Sequence, residues 1–256
     1  MAGQRLETYT QWGPDGNGFF MHNEPGVAMI EKARQLGVRN ICIHKGIPFG
    51  KQSYQHSLCT DIGVVAKAYP DINFIIYHSG FDPDVEEQGF VDGSGRAGID
   101  SLVQSLIDNE IPPNSNVYAE LGSTWRFVMR HPQQAAHLLG KLFKYVGENN
   151  VLWGTDSIWY GSPQDQIQAF RGFQISDEFR EKYGYPELTQ TLKSKVFGLN
   201  ATVPYNISME EVARFTGGDH IALNKARYLE NPQPHFRTYG PKTRRQFLNL
   251  MKWQEG

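Results

Sequence analysis

The chain has 256 residues, of which 39% are hydrophobic and 20% charged, and its formal net charge is −2. That length suits one large domain or two small ones around a buried core. The mixed, nearly balanced charge leaves no basic face for nucleic acid or an anionic membrane, so small-molecule partners are expected. Cys42 and Cys59 show no CxxC or zinc-ribbon spacing, which favours a reduced setting without disulfides. The start of the chain has no apolar signal core, and no run approaches the ~20 apolar residues of a membrane span. A cytoplasmic protein is the expectation.

The first predicted strand is "LETYTQW" (Leu6 to Trp12). A helix over Glu24 to Gly37 places Val27, Ile30 and Ala33 on one face and stops at a glycine suited to a left-handed cap. The strand "NICIH" follows (Asn40 to His44), then a helix in "CTDIGVVAKAYP" that ends at Pro70, then the strand "NFIIYH" (Asn73 to His78). The acidic, glycine-rich stretch Phe81 to Gly98 reads as a mobile lid or insertion. Next come the helix "GIDSLVQSLIDN", the strand "NVYAE" (Asn116 to Glu120), the helix "HPQQAAHLLGKLFKYVG" and the strand "NVLWGTD" (Asn150 to Asp156). Helical patterns in "SPQDQIQAFRGFQ" and "ELTQTLKSKVFGLNATVPYNI" close the first region, 1–207. The remainder, 208–256, is polar, helical or irregular, and its basic tail "PQPHFRTYGPKTRRQF" suits a surface or a neighbouring subunit.

The four strands that open with Asn are continuous apolar runs, as expected of strands covered on both faces in a parallel sheet. Their terminal polar residues, His44, His78, Glu120 and Asp156, are spaced 34, 42 and 36 residues apart, close to one strand-plus-helix unit of about 30 residues. Such alternation leaves an open doubly wound sheet or a (β/α)8 barrel. No GxGxxG or GxxxxGK[ST] phosphate turn occurs. Strands that end one after another in ionisable groups instead suit a barrel, whose site lies where its strand C-termini converge. The fold expected is therefore an α/β, TIM-like (β/α)8 barrel that lacks its first strands.

Two imidazoles and a carboxylate suit a borderline divalent cation, Zn²⁺ or alternatively Mn²⁺, held by His44, His78 and Asp156 with a position open for water. Such a metal brings the pKa of water toward neutrality. Each residue also has a bland alternative: a strand-end His bonded to its neighbours, or an Asp capping its own turn. Glu120 is a candidate for substrate binding or for a salt bridge across the barrel top. Lys45 and Phe49 follow His44, Trp125 and Arg126 follow Glu120, and Trp159 and Tyr160 follow Asp156. These side chains suit a planar or carboxylated substrate, with Lys45 or Arg126 holding its carboxylate; the tryptophans could equally be packed covers.

"NICIHKGIPFG", "YPDINFIIYHSGF", "NVYAELGSTWR", "VLWGTDSIWYGSPQDQIQAF" and "KVFGLNA" resemble the metal-dependent amidohydrolase-related family. That branch includes aminocarboxymuconate-semialdehyde decarboxylase-like enzymes. The resemblance runs from Leu6 to Tyr205 and implies a distorted (β/α)8 barrel with one or two divalent metals at its mouth. His44 matches the metal-ligand His of the family's fifth strand, and His78 the sixth-strand His, a ligand or an acid/base. Asp156 matches the eighth-strand Asp, a ligand and often the base for the water proton. Asn200 falls in a structural segment.

Family members carry a His-x-His pair at the end of their first strand, and no two of the eight histidines here lie two positions apart. The expectation is a C-terminal part of a longer protein, a barrel whose front a separate chain supplies, or a metal-free relic. Exposed strand edges would favour association, here into a homo-oligomer. The resemblance implies a metal-dependent hydrolase in which metal-activated water attacks an amide, ester or lactone carbon, with Asp156 and His78 moving protons. The alternatives are non-oxidative decarboxylation of an aromatic acid on the same scaffold, or an inactive barrel fragment serving as a binding or assembly module.

Overall fold

The computed structural model describes residues 4–13, 16–48, 52–93, 97–232 and Arg245. Phe49 and nearly all of the basic tail lie outside them. Short runs of β-branched and aromatic residues form five strands: β1 (Arg5–Tyr9), β2 (Asn40–His44), β3 (Asn73–Tyr77), β4 (Val117–Glu120) and β5 (Val151–Leu152). All pairings are parallel, in the order β1-β2-β3-β4-β5. In this register Tyr9 lies beside His44 and His44 beside Tyr77, while Glu120 lies beside Leu152. The strand ends therefore meet at one edge of the sheet. Among the described residues the sheet stays open at five strands, a TIM-like segment rather than a closed barrel.

Because side chains alternate across a strand, the two faces differ. Ile41, Ile43, Phe74, Ile76, Val117, Ala119 and Val151 pack with Ile30, Val65, Leu102 and Leu138 from the helices in the main core. Full burial of each such side chain contributes about 1.5–3 kcal/mol. On the opposite face Cys42, Ile75, Tyr118 and Leu152 form a smaller cluster with Tyr77 and Tyr205 against it.

The Asn that opens each of the later strands now has a physical reason. Asn116 Nδ2 donates to Ala66 O, Tyr69 O and Ile72 O, and Asn150 Nδ2 to Ser115 O and Val117 O. Asn73 Nδ2 donates to Asn40 Oδ1, and Asn40 Nδ2 to Pro204 O. Apart from the side-chain bond between Asn73 and Asn40, these amides satisfy backbone carbonyls near where the chain enters the sheet, groups that would be costly to bury unpaired.

Three expectations are corrected. The last strand stops at Leu152, because Trp153 N–H leaves the ladder for Val196 O. The helix in "ELTQTLKSKVFGLN" runs only over Gln190–Phe197 before Gly198, with a separate 3₁₀ turn at Leu199–Thr202. The described part of the acidic stretch is pinned rather than free. Glu87 is buried and paired with Lys141, and its Oε1 accepts the Ile99 N–H at 3.2 Å.

The chain divides into two compact units, Met1–Asn206 and Ile207–Gly256. In the second, helix Met209–Thr216 begins with a capping box between Ser208 and Glu211, and Asp219 caps helix His220–Glu230. Among the described residues no helix is long and apolar enough to cross a membrane.

Candidate active site

Past each strand the backbone turns sharply. His78 (φ 62°), Ser79 (φ 55°), Ser123 (φ 57°) and Asp156 (φ 50°) all adopt positive φ at the ends of β3, β4 and β5. For non-glycine residues this costs about 1–3 kcal/mol each, and such strain clusters where a site dictates the geometry. Asp156 stands at the N-cap of helix Ser157–Tyr160, yet its side chain makes no capping bond there. Thr155 Oγ1 instead accepts the Ser157 N–H. The Asp156 carboxylate is not engaged by its own turn and is free to serve elsewhere.

It serves the neighbouring loop. Ser123 Oγ donates to Asp156 Oδ2 at 2.6 Å and lies 3.0 Å from Tyr160 OH. His78 Nδ1 is 3.7 Å from the same Asp156 oxygen and 2.6 Å from Gly122 O. A carbonyl only accepts, so the proton resides on Nδ1 and Nε2 keeps its lone pair. The His44 and His78 rings meet edge to face, with centroids 4.5 Å apart. Burial, with His78 alongside, lowers the His44 pKa to about 4. Burial likewise lowers that of His78, so both rings are neutral near pH 7.

Glu120 binds the strand ends together: Oε2 accepts the His78 N–H at 3.3 Å and Oε1 the Gly122 N–H at 2.8 Å. Its residue surface keeps some exposure, but the carboxylate is enclosed by this backbone, and burial raises its pKa to about 7. A cavity of about 960 Å³ opens over these groups, lined by His44, His78, Glu120, Ser123, Asp156 and Tyr160, with Tyr9, Trp12, Trp153 and Trp159 as aromatic walls. Arg5 and Glu7 line its far part, paired at 2.7 Å, and Tyr77 OH donates to Glu7 at 2.9 Å.

Of the residues expected at the mouth, His44, His78, Glu120, Asp156 and Trp159 do line this cavity. Lys45 is placed elsewhere. Strand alternation, which turns His44 to the cavity, sends its neighbour to the other face, where Lys45 is fully buried beside Asp61. Arg126 also stands away from the lining. Its guanidinium lies over the Tyr160 ring at 4.8 Å and pairs with Asp165 at 3.2 Å. Trp125 is a packed cover, fully buried, with Nε1 donating to Gln166 O. Ser123 and Arg5 were not anticipated. The signals were present in the small polar turn "GST" after Glu120 and in the period-two sequence Arg5, Glu7, Tyr9.

The donors fit a divalent cation in kind: two neutral imidazoles, one with its Nδ1 proton already given to a carbonyl as metal-binding histidines typically arrange, and one carboxylate. They do not complete a site in number, for among the described residues no three His, Cys, Asp or Glu side chains gather as a ligand cluster.

A family profile described as amidohydrolase matches residues 6–207. The chain belongs to the amidohydrolase family. Its fold resembles a candidate 2-pyrone-4,6-dicarboxylic acid hydrolase from Pseudomonas putida (TM-score 0.50, 16% identity), covering 82% of this chain and 64% of that one. A second protein of the same description, from Acinetobacter baumannii with citric acid bound, gives a TM-score of 0.48 at 12% identity, covering 81% and 65%. Likeness at this identity speaks for the fold alone. This amidohydrolase chain spans about two-thirds of the length of those neighbours, and no curated protein matches it.

Proposed function

We propose that this chain carries the strand-end site of a metal-dependent hydrolase that adds water across an amide, ester or lactone bond. The observation that supports the reading is the convergence of His44, His78 and Asp156, from three different strand ends, on one aromatic-walled cavity. On donor chemistry, His44, His78 and Asp156 would be this chain's contribution to a Zn²⁺ or Mn²⁺ site, which they do not complete by themselves. When bound, such a cation supplies Lewis acidity that brings the pKa of water toward 7.

The chain's own residues divide the remaining work. Asp156, with Oδ2 held by Ser123, takes the proton from the attacking water through its other oxygen. His78 keeps its Nδ1 proton on Gly122 O and presents Nε2 to the cavity chemistry. The low pKa of His44 keeps its ring a lone-pair donor throughout the neutral range. Tyr9, Trp12, Trp153 and Trp159 offer flat apolar surfaces to a planar substrate and limit water around it.

The test begins with Zn²⁺ and Mn²⁺ titrations of the purified full chain. A panel of amides, esters and lactones follows, including 2-pyrone-4,6-dicarboxylic acid, for which the P. putida neighbour is named. Metal binding that is lost in His44→Ala, together with hydrolysis lost in Asp156→Asn, supports the reading. If neither metal binds and His44→Ala changes no property, the reading fails. Release of CO₂ from an aromatic acid without hydrolysis would replace it with the decarboxylase alternative.

A further inference from the structure

Strand β1 lays a row of polar side chains along the cavity. Alternation puts Arg5, Glu7 and Tyr9 on one face of the strand, and all three line the cavity that also holds His44, His78 and Asp156. Among the described residues of that lining Arg5 is the one cation. Its side chain is half exposed, and Glu7 Oε1 accepts from its Nε at 2.7 Å while taking the Tyr77 hydroxyl at 2.9 Å. Tyr77 and Tyr205 are the other groups acting on the guanidinium, and both pack against Cys42, Ile75, Tyr118 and Leu152. Engagement at Nε leaves the two terminal nitrogens, the fork that meets a carboxylate end-on. The acids at the opposite end, Asp156 and Glu120, repel an anion there, so an acid in this cavity lies with its charge toward Arg5. Tyr9 stands beside His44 in the sheet register. At about 3.3 Å per residue, Arg5 starts about 13 Å along the strand from that row. Its guanidinium is bonded to Glu7, two residues nearer, so the span from cation to strand ends is on the order of 7–13 Å. A single ring bearing a carboxylate is too short to cover it.

We propose that Arg5 is the anion subsite of this cavity and sets its substrate class: an elongated planar acid of two rings, with its carboxylate on Arg5 and its far ring at the strand ends. Tyr77 and Tyr205, beside Arg5 in the lining, give the first ring flat surfaces, and the aromatic walls near Asp156 receive the second. The inference rests on the hydrolase reading for the reaction at the far ring, whereas the binding itself needs no metal.

The experiment follows tryptophan fluorescence of the full chain in EDTA near neutral pH, since Trp12, Trp153 and Trp159 line the cavity. The probes are para-phenylbenzoate, its neutral analogue para-phenylbenzamide, and benzoate, each titrated into wild type and Arg5→Met. The wild type is expected to bind para-phenylbenzoate more tightly than either of the others. Arg5→Met weakens the para-phenylbenzoate complex about 10-fold, the loss of one charge-assisted contact. It leaves para-phenylbenzamide binding unchanged, which also reports an intact cavity. Equal losses for acid and amide, no preference for the acid in the wild type, or no binding at all overturn the proposal. Benzoate bound as tightly as para-phenylbenzoate overturns the two-ring assignment. Binding that depends on Arg5 with no hydrolysis across the ester panel removes the hydrolase reading and keeps this inference. Hydrolysis indifferent to Arg5→Met does the reverse.

Discussion

Lys45 Nζ lies 2.9 Å from Asp61 Oδ1 and 3.0 Å from Oδ2, with both side chains sealed from solvent. The ammonium also donates to His56 O at 3.0 Å, and Asp61 Oδ2 accepts the Met21 N–H at 2.6 Å. The pair thus ties the loop after β2 to the segment before the helix Ile62–Ala68, directly behind His44. Removing one partner strands the other as a buried charge, which costs about 3–5 kcal/mol. Lys45→Met is therefore expected to lower stability by about that amount in urea unfolding. A carboxylate-binding role would instead leave stability unchanged and weaken substrate binding alone.

The site should make stability depend on pH in two opposing ways. The His44 pKa lies at about 4 when folded against an ordinary 6.5. Its contribution is complete above about 6.5 and is lost as pH falls toward 4, by roughly 3 kcal/mol in all. Glu120 is raised from 4.5 to about 7, so its contribution is present below 4.5 and is lost as pH rises through 7. In urea midpoints of metal-free protein, His44→Gln flattens the acid-side loss. Glu120→Gln steepens the rise between about pH 4.5 and 7. If neither variant changes the slope, the burial of these groups is not controlling it.

Gly154 sits where Glu120 needs room, because a Cβ built there would fall 1.4 Å from Glu120 Oε1. Gly154→Ala must displace the carboxylate that holds the His78 and Gly122 N–H groups. The expected cost is about 1–3 kcal/mol of stability, as for other overpacked sites. Amide signals of His78 and Gly122 should shift in NMR spectra; spectra and stability like those of the wild type would count against the staple.

Trp125 and Arg126 are neighbours with opposite expectations. Trp125 is fully buried against Phe170 and Phe173, so Trp125→Ala should cost about 3–5 kcal/mol. The Arg126–Asp165 pair is partly exposed, and Arg126→Ala should stay within about 1 kcal/mol of wild type. Paired unfolding curves decide both.

Much of this was legible in the sequence, for a local reason. Runs such as "NICIH" and "NFIIYH" carry β-rich side chains bounded by turn residues, and β2 and β3 begin at the asparagines expected to open them. The ionisable groups at the strand ends followed from the same pattern, because parallel neighbours in register bring equivalent ends together. Less was legible wherever the outcome depended on which way a side chain points. His44 and Lys45 are adjacent in sequence, the first a candidate metal ligand and the second a candidate for a substrate carboxylate. A strand turns successive residues to opposite faces, and which face the helices would cover is a property of the assembled sheet.

In the stretch "NVLWGTDSIWY" a buried run, a tight turn and an acid at the end are local properties, since apolar content and glycine placement act over a few residues. That Asp156 declines to cap its own helix and takes its bond from Ser123 is a consequence of how distant segments pack. The same packing has Gly154 clear space for Glu120. Those choices depend on contacts between chain segments more than thirty residues apart. Their energies belong to the packed sheet ends, and no local pattern of residues encodes them.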